Sequence, residues 1–189
     1  MPSQITHLAI AKRYLEKHPR TIKDVQRFLD GNVLPDLALN KELAHCGDRS
    51  EKYDILKHNR EKVNPNKFMA THDMRDDLNK GQYLHLYVDH KYYNEFLLDY
   101  FKNTSGDQVS TDMYETTRRD DAYLRRKYEV SYCDTTVGRE LQMINDAWDI
   151  ENYKKRRQSD SRFNFPYDFA ALSKFIENMA DTLIPQNNN

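Results

Sequence analysis

The stretch GQYLHLYVDHKYYNEF, Gly81 to Phe96, decides how this chain is read. Tyr83, Leu84, Leu86, Tyr87, Val88, Phe96 and the following Leu97 recur at helical spacing, which predicts a central, largely buried helix running from just after Lys80-Gly81 to about Lys102. That helix also carries His85, Asp89 and His90. A carboxylate flanked by Leu84, Val88, Tyr92 and Phe96 would lose its water without compensation unless a partner neutralises it. His85 and Asp89 are four residues apart, so an imidazole and a carboxylate share one helical face, one turn apart, and can reach the same cation. The pair alone does not prove a metal. His72 and Asp76 repeat the spacing, and Asp89 could instead accept a proton from His85 or lie on the polar side of an amphipathic helix.

Working outward, the chain is poor in breakers, with five glycines and six prolines in 189 residues, and its abundant Leu, Lys, Arg, Glu and Asp favour helices over strands. The expectation is an all-α fold, one domain over residues 1–189. Residues 4–18 form a first helix, with Ile5, Leu8, Ala9, Lys12 and Leu15 in period and Pro19 just past its end. Thr21 caps a second helix bearing Ile22, Val25, Phe28 and Leu29, ended by Gly31, so that GNVLPDLALN becomes a connection with Asp36 in a turn. Most of residues 38–65 reads as loop, with a short helix near Asp54–Lys62, and a further helix spans Asn66 to about Asn79. NTSGDQVST interrupts the pattern before DMYETTRRDDAYLRRKYEV resumes it. Another helix starts at Asp134 or Thr135 with Leu141, Met143, Ile144 and Trp148 as its apolar side, and a last one follows Pro166 with Phe169, Leu172, Phe175, Ile176, Met179 and Leu183 as a stripe. A compact bundle of about five to seven helices would bury these faces, residues 101–184 completing it and 185–189 fraying.

Lysine and arginine number 29 against 30 aspartates and glutamates, so no global field steers nucleic acid or an anionic membrane surface. The basic clusters RRKY at Arg125–Tyr128 and YKKRRQ at Tyr153–Gln158 would make a nucleic-acid module only if they shared a face. No window is apolar enough to span a bilayer, and the first residues lack the h-region of a secretion signal, giving the expectation of a cytoplasmic protein without stable membrane insertion. Cys46 and Cys133 are too few for a disulfide scaffold and read as free thiols, Cys46 lying next to His45.

All seven histidines, at 7, 18, 45, 58, 72, 85 and 90, lie in the first 90 residues, an accident of about one in two hundred for random placement. The chemistry is therefore expected in residues 1–100. His18, before Pro19, suits a helix C-terminus, and His90 points roughly 100° away from Asp89 around the helix. His58 and His72 could fold over a site. Tyr83, Tyr87 and Tyr92 are candidates to line a substrate pocket or to pack the core.

Four blocks occur in order: ITHLAIAKRYLEK with His7, LDGNVLPDLA with Asp36, LAHCGDR with His45, and GQYLHLYVDH with His85 and Asp89. Together, over about residues 4–100, they resemble the zinc-dependent phospholipase C family, which is related to the S1/P1-type nucleases. The resemblance implies an all-helical bundle of the phospholipase C and P1 nuclease type that gathers His and Asp ligands around zinc and hydrolyses phosphoesters with metal-activated water. It implies His7, Asp36, His45, His85 and Asp89 as metal ligands, Asp36 also as general base and Asp89 as a bridge between ions. Secreted members use an amino-terminal tryptophan that Met1-Pro2 does not supply, Glu95 stands where the family has a further histidine, and no histidine follows His90. One or two ions rather than three are the expectation. Zinc fits His and Asp ligands best, and iron, manganese and nickel also accept them. Glu95, His72 and His58 are additional candidate ligands. The expected substrate is a small phosphodiester or a lipid headgroup, and the rival reading is a non-catalytic metal-binding helical protein serving as a partner-binding or structural module.

Overall fold

A computed structural model describes residues 2–46, 63–104, 106–157 and 163–185, and these are mostly helical, with no strand beyond one isolated antiparallel bridge between Cys46 and Val63. The expected helix at Asp54–Lys62, His58 and residues 186–189 of the tail lie outside the described residues.

The first helix, α1 (Gln4–Lys17), starts where Ser3 Oγ accepts the Thr6 amide and stops ahead of Pro19. Residues 5–11 are all buried, so α1 lies at the centre of the fold rather than along one side. Arg13 and Lys17 reach Glu177, and Lys17 also Asp181, on the last helix, where exposure limits what these pairs contribute.

The second helix differs from its expected span. Asp24, not Thr21, is its N-cap, accepting the Arg27 amide at 3.0 Å, while Thr21 Oγ1 turns back to the His18 carbonyl. The helix α2 (Val25–Leu37) continues through Gly31 and Pro35, so the segment read as a connection is helical and Asp36 sits in a last turn, not in a loop. Pro35 has no amide to offer the Gly31 carbonyl, which α2 tolerates near its end. Gly31 is there for proximity: a Cβ on it would lie 2.1 Å from the Leu78 carbonyl oxygen.

Beyond α3 (Lys41–Ala44), the expected helix over 66–79 divides. The helix α4 (Pro65–Thr71), capped by Asn64, ends at His72, and Asp76 restarts the chain by accepting the Leu78 amide at 2.9 Å. The helix α5 (Asp77–Lys91) then includes Lys80 and Gly81, which do not break it, because Gly81 meets the backbone of α2 at Phe28 and Asn32. It does not run unbroken to Lys102. Residues 92–96 form one π-turn, and α6 (Leu98–Asn103) follows.

The expected interruption at NTSGDQVST is shorter than its composition suggested: α7 (Gly106–Lys127) begins at Gly106 and carries GDQVST in its first turns. A 3₁₀ turn at Tyr132–Asp134 with a Ser131 capping box precedes α8 (Gly138–Arg157), which starts later than Asp134 or Thr135. Its apolar side is not buried as expected: Leu141 is, but Met143, Ile144, Trp148 and Ile150 are exposed. The last helix, α9 (Phe169–Ala180), is capped by Asp168 and buries Leu172, Phe175, Ile176 and Met179, while Leu183 beyond its end is exposed.

Candidate metal centre

Three helices and one turn converge on a buried polar cluster. α1 supplies His7, the last turn of α2 Asp36, the turn after α3 His45, and one face of α5 His85 and Asp89. None is more than 3 % exposed. The sequence-expected ligands are therefore brought together from segments far apart in the chain.

The His85 ring anchors the arrangement. Its Nδ1 lies 2.9 Å from the backbone oxygen of Asn32 on α2. A carbonyl only accepts, so Nδ1 carries the proton and the neutral ring turns the Nε2 lone pair toward the cluster. Burial pushes the His85 imidazole down to about 4, with the charge of neighbouring His7 acting in the same direction, so the ring is neutral at pH 7. His7 stacks on it at a centroid separation of 3.9 Å.

The lone pair faces a second imidazole and two carboxylates. His85 Nε2 is 3.2 Å from His45 Nε2, 3.5 Å from Asp89 Oδ2 and 3.9 Å from Asp36 Oδ1. His45 Nε2 in turn lies 3.4 Å from Asp89 Oδ2 and 4.0 Å from Asp36 Oδ1. The other Asp89 oxygen, Oδ1, is 3.3 Å from His7 Nε2. Only the approach between the two Nε2 atoms is a hydrogen bond, with His45 donating to the His85 lone pair; both oxygens of Asp36, both of Asp89 and both ring nitrogens of His7 are buried without a hydrogen-bond partner. Burial works against ionisation of Asp89, yet the imidazoles of His85, His45 and His7 hold its carboxyl well below the usual carboxylate range. Among the described residues, no lysine or arginine comes within 4.0 Å of either carboxylate. The nearby buried lysine, Lys80, is taken by Asp77 at 2.6 Å.

Two carboxylates turned toward one cluster in a dry interior, with none of their oxygens hydrogen-bonded, are costly, and a cation among them would offset that cost. The donor set fits one. His7, His85 and Asp89 form one trio of ligand atoms within 4.8 Å of each other, and Asp36, His45 and His85 form a second. Ligand atoms about 2.1 Å from a tetrahedral zinc stand roughly 3.4 Å apart, the spacing seen among His45, His85 and Asp89. Asp36 Oδ1, 3.9 Å from His85 Nε2 and 4.0 Å from His45 Nε2, would be a fourth donor to such an ion. His7 lies outside this set and faces the second oxygen of Asp89, which is placed to bridge.

The additional candidates are elsewhere. Glu95 is exposed and paired with Lys91. His72 stacks on Phe68 at 3.8 Å with Nδ1 2.9 Å from the Phe68 carbonyl, and Asp76 of the second His-x-x-x-Asp pair binds Arg27. His18 Nε2 donates to the Ala180 carbonyl at 3.1 Å, and His90 contacts Asn94 one turn on. Cys46 is half-buried, and burial raises its thiol. Tyr83 is buried and stacks with Tyr87, over which Lys91 lies, while the Tyr92 hydroxyl bonds to Tyr167 at 2.9 Å amid Phe96 and Phe175.

Two further groups went unread in the sequence. The Asn32 backbone oxygen that orients His85 leaves no trace in residue type. Tyr93 does: it is four residues after Asp89 and eight after His85, hence on the same side of the helix. It is 2 % exposed and its hydroxyl has no partner.

Among the described residues no helix is long and apolar enough to cross a membrane. Comparison of the chain with known families, with curated proteins and with solved structures finds no match.

Proposed function

We propose that this protein is a metal-dependent phosphoester hydrolase, acting on a phosphodiester or a phospholipid headgroup, with His7, Asp36, His45, His85 and Asp89 as the residues that hold one or two cations, zinc first among them. The observation that carries the reading is the surplus of buried ligands: four side chains already satisfy a closed structural site, and here a fifth, His7, stands against the second oxygen of Asp89. Bound there, such cations supply Lewis acidity toward a phosphoryl oxygen and toward the attacking water. The chain's own residues do the rest. Asn32 fixes the His85 tautomer, Asp89 bridges the two halves of the cluster, and Asp36, the carboxylate farthest from the imidazoles, accepts the proton of the water. The four sequence blocks that resemble zinc-dependent phospholipase C support the same chemistry.

The test is elemental analysis of untagged protein purified without added metal or chelator, beside His85→Ala and Asp89→Ala, followed by turnover of bis(4-nitrophenyl) phosphate. One or two ions per chain, lost in both folded variants, together with turnover, support the proposal. No stoichiometric metal after addition of zinc, manganese or iron refutes it.

A non-catalytic metal-binding module is the second reading. It is favoured by the burial of all five ligands and by the placement of two grooves elsewhere, one of ≈ 300 Å³ beside Lys91, Phe96 and Phe175 and one of ≈ 180 Å³ beside Ser3, Ile144 and Trp148. Metal in stoichiometric amount without turnover, and without a spectral response of the cobalt-loaded protein to added phosphate, selects that reading.

A further inference from the structure

Tyr93 is a buried hydroxyl for which the fold provides no use. Its ring is fixed, stacked on Phe101 at a centroid distance of 5.7 Å and set edge-on to Tyr92 at 5.8 Å. Its oxygen is buried with no hydrogen-bond partner. The adjacent Tyr92 shows the contrast, because its hydroxyl closes a chain through Tyr167 to Asp120. At Tyr93 a phenylalanine would fill the same space and leave no polar atom stranded.

The placement points to a ligand. Tyr93 follows Asp89 by one turn at the point where α5 passes into the π-turn, so it extends the His85–Asp89 face by a third side chain. After burial itself, the groups that act on the phenol are Asp89, the neighbouring Tyr92 and Asp36, so both carboxylates of the cluster are among them. Burial, foremost, and those two negative charges hold the phenol well above its ordinary range, so at neutral pH it keeps its proton and is a donor. Neither carboxylate oxygen takes that proton.

We propose that the Tyr93 hydroxyl donates a hydrogen bond to a non-bridging oxygen of the phosphoester bound at the His7–Asp36–His45–His85–Asp89 cluster, an assignment that rests on the hydrolase reading above. The hydroxyl supplies a neutral, preorganised donor in a dry site, where a hydrogen bond to a charged oxygen is at its strongest.

The experiment uses the full chain loaded with zinc and Tyr93→Phe, with Tyr92→Phe as the comparison. Inorganic phosphate is titrated by calorimetry, metal content is measured, and the thermal midpoint of the metal-free proteins is recorded. The expected result for Tyr93→Phe is an unchanged metal content, a metal-free midpoint equal to or above that of the parent, and a phosphate affinity reduced roughly 10- to 100-fold. Tyr92→Phe, which breaks a protein hydrogen bond, should lower the midpoint and leave phosphate affinity within about 3-fold. Undiminished phosphate binding by Tyr93→Phe overturns the proposal while leaving the hydrolase reading intact. Loss of metal or of the fold in Tyr93→Phe also overturns it, because it would give the hydroxyl a structural partner. A parent protein that holds no metal removes the hydrolase reading and this assignment together, and the metal analysis, made first, tells the two failures apart.

Discussion

Replacing Gly81 by alanine should damage the candidate metal centre without touching a ligand. In the interior of an exposed helix the change would help, since alanine exceeds glycine in helix propensity by up to about 1 kcal/mol. Here the new methyl would stand 2.1 Å from the Phe28 carbonyl oxygen and 2.8 Å from the Asn32 amide nitrogen, both backbone atoms of α2 that no rotamer change can move. An ordinary contact needs the two helices to part by about 1 Å. The hydrogen bond between His85 Nδ1 and the Asn32 carbonyl, 2.9 Å long, then stretches beyond hydrogen-bonding range, and the Asn32 Nδ2 contact to the Gly81 carbonyl, already 3.3 Å, is lost with it. Overpacking costs about 1–3 kcal/mol and each buried hydrogen bond about 1 kcal/mol, so the loss should be about 3–5 kcal/mol out of a total stability of roughly 5–15 kcal/mol. Freed from Asn32, the His85 ring no longer holds one tautomer, and metal affinity should fall about 10- to 100-fold. Urea denaturation of the metal-free protein measures the first effect and competition with a chromophoric chelator the second. A variant within about 0.5 kcal/mol of the parent in stability, with unchanged metal affinity, would refute the claim that this backbone contact holds the site.

Asp36→Asn, which exchanges a buried carboxylate without a hydrogen-bond partner for a neutral amide, should raise the metal-free thermal midpoint by several degrees and abolish turnover, readings that calorimetry and a diester assay provide. Asp168→Ala removes the cap that accepts the Ala171 amide at 2.8 Å and should cost about 1 kcal/mol while leaving metal content unchanged, a control for general destabilisation. For pH, His85 sits at about 4 when folded against 6.5 when exposed, so the unfolded chain binds the extra proton between these values. The metal-free protein should hold this contribution in full above pH 6.5 and lose on the order of 3 kcal/mol as pH falls toward 4; denaturant midpoints that stay flat over that window in the parent but not in His85→Ala would reverse the assignment.

Much of the helical layout was legible because apolar periods are local, whereas the caps were not: Thr21 is the expected cap where Asp24 is the actual one. Ser3, Asp24, Asp76 and Asp168 begin helices through their own side chains. The misread boundaries share a cause. Gly31 and Gly81 have the composition of helix stops, and both lie inside helices because a neighbouring backbone occupies the space a side chain would need. That is a tertiary fact, invisible to any window of one helix. It moved Asp36 from an expected turn into the end of α2. The exposed apolar side of α8 is the opposite case, since the pattern predicts an amphipathic helix and is silent on whether a partner covers it. For the cluster, the five ligand candidates were visible as costly residue types among apolar neighbours and in the four-block resemblance. Asn32 was not, because it contributes a backbone oxygen, and Tyr93 was hidden among thirteen tyrosines even though its spacing from Asp89 marked it.

The misreading of the glycines and the geometry of the site are one phenomenon. Asp36, His85 and Asp89 belong to the α2–α5 pair, whose separation is set by Gly31 on Leu78 and Gly81 on Phe28 and Asn32, so one helix spacing fixes these three side chains and the Asn32 carbonyl together. His7 and His45 come from outside that pair, on α1 and in the turn after α3. α1 is locked in place, buried over seven successive residues and stacked ring to ring on His85, whereas His45 depends on a turn whose next residue, Cys46, adopts a positive φ of 55°. The candidate ligands therefore come from one helix pair of fixed spacing, from a buried helix stacked on it, and from one turn, which the Asn64 amide holds at the His45 carbonyl. On the metal-site reading proposed above, loss of Asp36, His85 or Asp89 should abolish binding, whereas loss of His45, the one candidate ligand carried by a turn, should weaken binding and shift the preference among zinc, manganese and iron.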